Sequence, residues 1–184
     1  EQAMIWRGPM ASQALEQLVH QTRWEGLDYL IVDMPPGTGD IQLTMAQKVP
    51  LTGAVIVTTP QDIALLDAKK GITMFQKVNV PVLGLIENMA VHVCSQCGHH
   101  EHIFGQEGGK RLAQQLGMDY LGALPLALSI RTQADAGRPS VVAEPEGEIA
   151  QLYRQMARTL AAKVAQQGTN LAPKFPAITI SKRS

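Results

Sequence analysis

The 184-residue chain reads as an α/β protein, a mostly parallel sheet with helices on both faces. Short apolar, β-branched runs alternate with longer stretches whose apolar residues recur at helical spacing, the order that builds βαβ units. The strand-like runs also lack polar alternation, as strands covered on both faces do. A chain of this length with 45% hydrophobic residues can bury one sizeable core.

Residues 13–23 carry Leu15, Leu18 and Val19 at helical spacing and predict a helix. Residues 28–33 form a short apolar run ending in Asp33 and predict a buried strand. Pro35, Pro36, Gly37, Thr38 and Gly39 break the backbone, and a helix is expected over 40–48. A strand over 53–58 precedes a helix over 62–76, with Ile63, Leu66, Ile72 and Phe75 on its stripe and Asp62 as its cap. Residues 82–86 predict another buried strand, and residues 91–109 a polar loop rich in Gly and His. A helix over 108–116 should end at Gly117 as its C′ residue, followed by a strand over 119–123. The last helix, over 146–167, has Ile149, Leu152, Tyr153, Met156, Leu160 and Val164 as its apolar stripe. The expected division is one domain over 1–168 and a loosely ordered tail over 169–184.

Charged residues make up 17% of the chain, below the roughly 25% usual for soluble domains. Some surface is therefore expected to be covered by another subunit or by further chain. The 16 basic and 16 acidic residues cancel, which gives no global attraction to nucleic acid or to an anionic membrane. No segment reads as a signal peptide or reaches about 18 apolar residues, so a cytoplasmic setting is expected. The sequence starts at Glu1 and enters without a recognisable domain opening, and is read as the later piece of a longer chain, incomplete at its N-terminus.

Three places carry chemistry. The run over 30–33 followed by a Gly-containing turn has the form of a Walker B strand. Such a strand delivers the Asp33 carboxylate rigidly to a sheet edge, where it can hold the water shell of Mg²⁺ on a nucleotide. Gly37 and Gly39 would allow the next loop to approach a γ-phosphate closely. No P-loop pattern accompanies it; residues 105–110 imitate one but are a residue short and read as a turn entering a helix. Asn88, at the end of a strand, has an amide suited to an adenine edge, although by itself it reads first as a turn-forming residue.

The third place is Cys94-Ser-Gln-Cys97-Gly98, which holds both cysteines of the chain. Two thiolates at this spacing can bind one metal centre from a tight turn, with Gly98 free to take positive φ. Three readings compete. A redox pair would normally sit at a helix N-terminus, and the following Gly98, His99, His100, Glu101 and His102 start a helix poorly. Zinc could draw on those histidines, although the spacer is far shorter than the usual dozen residues. An iron–sulfur cluster could be bridged by two chains, two sulfurs from each, across a twofold interface.

Taken together these motifs make the chain similar to the later half of the Mrp/ApbC proteins, the iron–sulfur carrier branch of the MinD-like P-loop ATPases. The matching residues are WRGPM at 6–10, DYLIVDMPPGTGD at 28–40, TTPQ at 58–61, ENM at 87–89 and CSQCGHH at 94–100, with Leu124, Pro125, Arg131 and Gly137 downstream. The resemblance implies a three-layer P-loop NTPase-like fold whose P-loop and first switch lie upstream of Glu1. It makes Asp33 the Walker B acid, residues 36–40, with Gly37 and Asp40, the γ-phosphate switch, and Asn88 and Pro125 the adenine contacts. Cys94 and Cys97 become ligands of a labile cluster, expected as [4Fe-4S], shared across a homodimer and passed to apo iron–sulfur proteins. ATP with Mg²⁺ would be bound and hydrolysed by the intact protein, and this piece alone is expected to be inactive and poorly stable. The alternatives are a MinD-like positioning ATPase acting at a membrane and a zinc-stabilised binding module.

Overall fold

The computed structural model describes residues 8–34 and 39–167. Three strands, β1 (Ala54–Thr58), β2 (Val82–Glu87) and β5 (Tyr120–Ala123), form a parallel sheet in the order β1-β2-β5. A two-stranded hairpin, β3 (His92–Val93) and β4 (His100–Glu101), stands apart from it. The helices are α1 (Gly8–Gln21), α2 (Asp40–Lys48), α3 (Asp62–Lys77), α4 (Gly108–Gln115), α5 (Leu128–Asp135), α6 (Ser140–Ala143) and α7 (Glu148–Gln166).

The crossovers β1-α3-β2 and β2-α4-β5 are the βαβ units that the alternating pattern predicts. Helices α3 and α4 cover one face of the sheet. Ile56 of β1 and its register partner Leu85 of β2 pack there with Ile72, Phe75, Leu112 and Ala113. Leu85 is fully buried at 0% exposure. The ladder of β2 with β5 steps from Leu85↔Tyr120 to Ile86↔Gly122, an irregularity that turns Gly122 toward the opposite face. Met156 of α7 fills that space: a Cβ on Gly122 would lie 3.1 Å from its Cγ. The β5 end of the sheet is thus covered on both sides, whereas Val57 of β1 stays 61% exposed.

Helix ends follow local chemistry. Gly117 takes φ +63° after α4 and its N–H donates to the Gln114 carbonyl, in line with its reading as C′. Asp62 is not the cap of α3; Gln61 is, without a side-chain bond, and Asp62 opens the first turn. A carboxylate there still favours the positive end of the helix dipole. The pair α1 and α2 pack together, with Lys48 Nζ 2.7 Å from Glu16 Oε2.

The expected strand over 28–33 is not formed. These residues have no regular structure, and Tyr29, Leu30 and Ile31 are exposed, Ile31 by 78%. A strand exists through its ladder, and among the described residues nothing pairs with this run, while β1 keeps one edge open. Gly37 and the expected tail lie outside the described residues. Among the described residues no helix is long and apolar enough to cross a membrane.

If Leu85 is the centre of this core, Leu85→Ala should lower the unfolding free energy by about 3 kcal/mol in a urea titration. Leu128→Ala, at a site 67% exposed, should change it by less than about 0.5 kcal/mol in the same measurement.

Candidate functional site

Parallel strands end at one edge of a sheet, so the chemistry-bearing loops gather there. Thr58, Glu87 and Ala123 are register partners at the ends of β1, β2 and β5. The backbone continues the ladder past them. Asn88 N–H donates to Thr58 O at 2.7 Å, Leu124 N–H to Glu87 O at 2.9 Å, and Ala90 N–H to Leu124 O at 2.9 Å. These bonds bring the Asn88 turn and the Leu124-Pro125 turn side by side, the two segments expected to flank a base. Asn88 Oδ1 accepts the N–H of Met89 at 3.0 Å, which fixes the amide plane and leaves its NH₂ as the outward donor. Met89 holds φ +56°, a left-handed conformation uncommon outside glycine.

The residues expected on the nucleotide side are less assembled. Asp33 is exposed in an irregular segment, and Asp40 is the first residue of α2. Asp33 does not stand at the end of a paired strand, because the run that carries it has no ladder among the described residues.

The cysteines lie at the tip of the β3–β4 hairpin, within the connection from β2 to α4. Antiparallel pairs His92↔Glu101 and Val93↔His100 form its stem. Cys94 N–H donates to His99 O at 2.9 Å and Gly98 N–H to Cys94 O at 2.8 Å, closing the turn. Gly98 takes φ +70°, the conformation its position suggested. The hairpin is tied down at its base. His92 Nδ1 lies 3.2 Å from Leu126 O, His102 Nδ1 lies 2.9 Å from Ala90 O, and Leu126 N–H donates to Val91 O at 2.9 Å. Each histidine is therefore spent on a backbone carbonyl at Nδ1.

Both thiols are free; Cys94 is half-buried and Cys97 exposed. The Cys94 thiol is lowered below its ordinary pKa, first by the backbone N–H of Gln96, then by the N–H and thiol of Cys97. These bonds outweigh burial and the nearby Glu101 carboxylate, which push the other way. N–H groups aimed at sulfur favour thiolate, the form that binds metal. Among the described residues no three His, Cys, Asp or Glu side chains converge as a metal cage, so the pair offers two donors. The pair also sits on a hairpin, not at a helix start, unlike a helix-activated redox pair.

Glu87 belongs to the matching ENM segment, but its spacing alone assigns it no role. It ends β2 at 2% exposure, its carboxylate accepting the N–H of Gly109 at the start of α4. The one hint was an acid closing an apolar strand beside Asn88. Tyr120 lies in the same region, its hydroxyl pushed up to about 12 by burial and then by the charges of Glu87 and Glu107.

The model of the ParA family described as NUBPL iron-transfer P-loop NTPase matches residues 1–161. An iron–sulfur cluster carrier protein of Pseudomonas fragi is 65% identical over 156 residues, 85% of this chain and 54% of that protein. The iron–sulfur cluster carrier protein of Escherichia coli K12 is 60% identical over 168 residues, 91% of this chain and 46% of that protein. The mouse iron–sulfur cluster transfer protein NUBPL is 55% identical over 154 residues, 84% of this chain and 48% of its own. The chain thus spans about half the length of the curated relatives it matches. A nucleotide-binding protein of Archaeoglobus fulgidus in complex with ADP superposes with a TM-score of 0.64 at 35% identity, over 74% of this chain and 55% of that one. MinD of Pyrococcus horikoshii, complexed with Mg-ADP, gives a TM-score of 0.64 at 20% identity over 87% and 60%, a likeness of fold alone.

The thiolate-favouring turn makes a direct expectation. In the metal-free, reduced protein, peptide-resolved iodoacetamide labelling of Cys94 should rise with pH around a midpoint below the roughly 8.5 of a free cysteine. A midpoint at or above that value would show that the N–H bonds do not govern the sulfur.

Proposed function

This chain belongs to the NUBPL iron-transfer P-loop NTPase family, and on that footing we propose that it serves an ATP-dependent iron–sulfur cluster carrier. Its fold is the MinD-like P-loop NTPase fold, a mostly parallel sheet with helices packed against it. The observation that carries the proposal is the cysteine hairpin. Two free sulfurs stand at the tip of a tethered turn, with no third donor completing a cage among the described residues.

Two thiolates leave a [4Fe-4S] cluster half ligated, and a twofold homodimer would present the same pair twice. Exposed Val93 and Ile103 flank the hairpin as apolar surface that a second subunit would cover. The cluster is cargo in this reading. Incoming thiolates of an apo-protein would replace Cys94 and Cys97 one at a time, each released sulfur taking up a proton or staying as thiolate. An exposed pair suits that exchange better than an enclosed four-ligand cage.

In the whole protein, ATP would bind at the sheet edge. Asp33 would hold the water shell of Mg²⁺, and residues 36–40, with Gly37 and Asp40, would sense the γ-phosphate. Asn88 would present its amide to adenine, with Pro125 beside the base. The hairpin is rooted in the same edge, since its base bonds to the 124–126 segment. Nucleotide state would thereby bias a dimer between holding and releasing cluster.

Anaerobic reconstitution of the full-length protein with iron and sulfide, read by visible absorption and Mössbauer spectra, tests the carrier reading. Cys94→Ala and Cys97→Ala should each abolish the cluster spectrum and transfer to an apo-ferredoxin, whereas unchanged cluster content in either would sink the proposal. Asp33→Asn should reduce ATP turnover while leaving reconstituted iron unchanged, measured as phosphate release and iron per chain.

A further inference from the structure

We infer that Glu87 is a positioning residue for the cysteine hairpin, a buried clamp that closes the two ends of the loop on which Cys94 and Cys97 ride. The inference rests on the carrier reading for its purpose and on the following contacts for its substance.

The loop leaves the sheet at the end of β2 and returns at the start of α4. Glu87 is the last residue of β2, and its side chain crosses to accept the Gly109 N–H, the second residue of α4. One carboxylate thus joins the exit and the return of the segment between them. The ends of that segment are held together at a point that is 2% exposed.

Helix α4 needs this bond. Its own N-cap position is Glu107, which adopts φ +51° and makes no side-chain capping bond; its carboxylate is instead paired with Lys110. A helix start normally satisfies an N2 or N3 amide from the cap residue. Here the acceptor comes from a strand 22 residues away in sequence. An anionic oxygen there also meets the positive end of the helix dipole.

The fit around the bond is closed. A Cβ on Gly109 would lie 2.9 Å from Glu87 Oε2 and 2.9 Å from Leu85 Cδ2. A Cβ on Gly108 would lie 2.5 Å from the Pro60 carbonyl. Both glycines let the first turn of α4 settle onto the ends of β1 and β2. Asn88 follows Glu87 directly, so one short stretch of backbone serves the base contact and the hairpin clamp.

The test uses the full-length protein with Glu87→Gln and Glu87→Leu. Gln keeps an oxygen acceptor at the same reach; Leu removes it. In apo-protein, amide exchange at Gly109 and across 90–104 should speed up on the order of tenfold in the Leu variant, the size of one lost charge-assisted hydrogen bond. The Gln variant should stay within about threefold of wild type. After reconstitution, a ferrous chelator should strip iron from the Leu variant about tenfold faster. The Gln variant should restore the wild-type rate and Mössbauer signature. Equal exchange and stripping in Leu and wild type would overturn the inference, as would Gln and Leu behaving alike. If the Leu variant does not fold, Gly109 exchange in wild type decides: protection of about tenfold or more over an unstructured peptide supports the clamp, and no protection overturns it. If wild type takes up no cluster, the carrier reading fails, while the apo exchange still judges the clamp.

Discussion

The parallel ladder through β2 is the constraint on which the rest of the molecule depends. It sets Thr58, Glu87 and Ala123 level at one edge, and its last bonds run on beyond the strands through Asn88, Leu124 and Ala90. Backbone groups that continue a ladder past a strand end must do so in fixed register, because each unpaired N–H or C=O near the core costs free energy. The turns at Asn88 and Pro125 are therefore placed by the sheet, not by their own sequences. The hairpin takes its position from the same source, through Val91, Leu126 and the two histidines.

Much of this was legible in the sequence because period and burial agree. The helices α2, α3, α4 and α7 and the strands β1, β2 and β5 lie where apolar spacing puts them, within a residue or two at most ends. Helices α5 and α6 were not legible. Neither has a sustained apolar stripe, and α5 fully buries no residue. The hairpin was read as loop because its strands are two residues each, too short for alternation to show. The CxxC spacing located the sulfurs, but not the histidines' use of Nδ1 on carbonyls, which depends on a fold that brings Leu126 to His92.

The run over 28–33 shows the converse. Its composition asks for burial on two faces and pairing on two edges, yet Tyr29, Leu30 and Ile31 stand in solvent. Propensity and pattern describe what a segment can satisfy, while a strand also needs neighbours to satisfy it. Asp33 takes its expected role from that run, so of the proposed site residues it is the one whose setting depends most on chain beyond the described ladder. Asn88 and the Leu124-Pro125 turn depend on it least, since the backbone bonds that place them close among the ends of β1, β2 and β5.

Glu87 joins these threads. A carboxylate buried at 2% exposure is expensive unless its bonds repay the lost hydration. Packing alone does not call for a carboxylate at the end of a central strand. Here it lies between the base-side turn and the return of the cysteine loop, bonded to a helix start that lacks its own cap. The hairpin has only a two-residue ladder as its stem, with its base tied through Val91, Leu126 and the two histidines. Anchored also where its loop re-enters the fold, it keeps its two sulfurs in a fixed turn. The polar cost at Glu87 is then spent on holding the geometry of an exposed pair, which neither a larger core nor a longer hairpin stem supplies at that point.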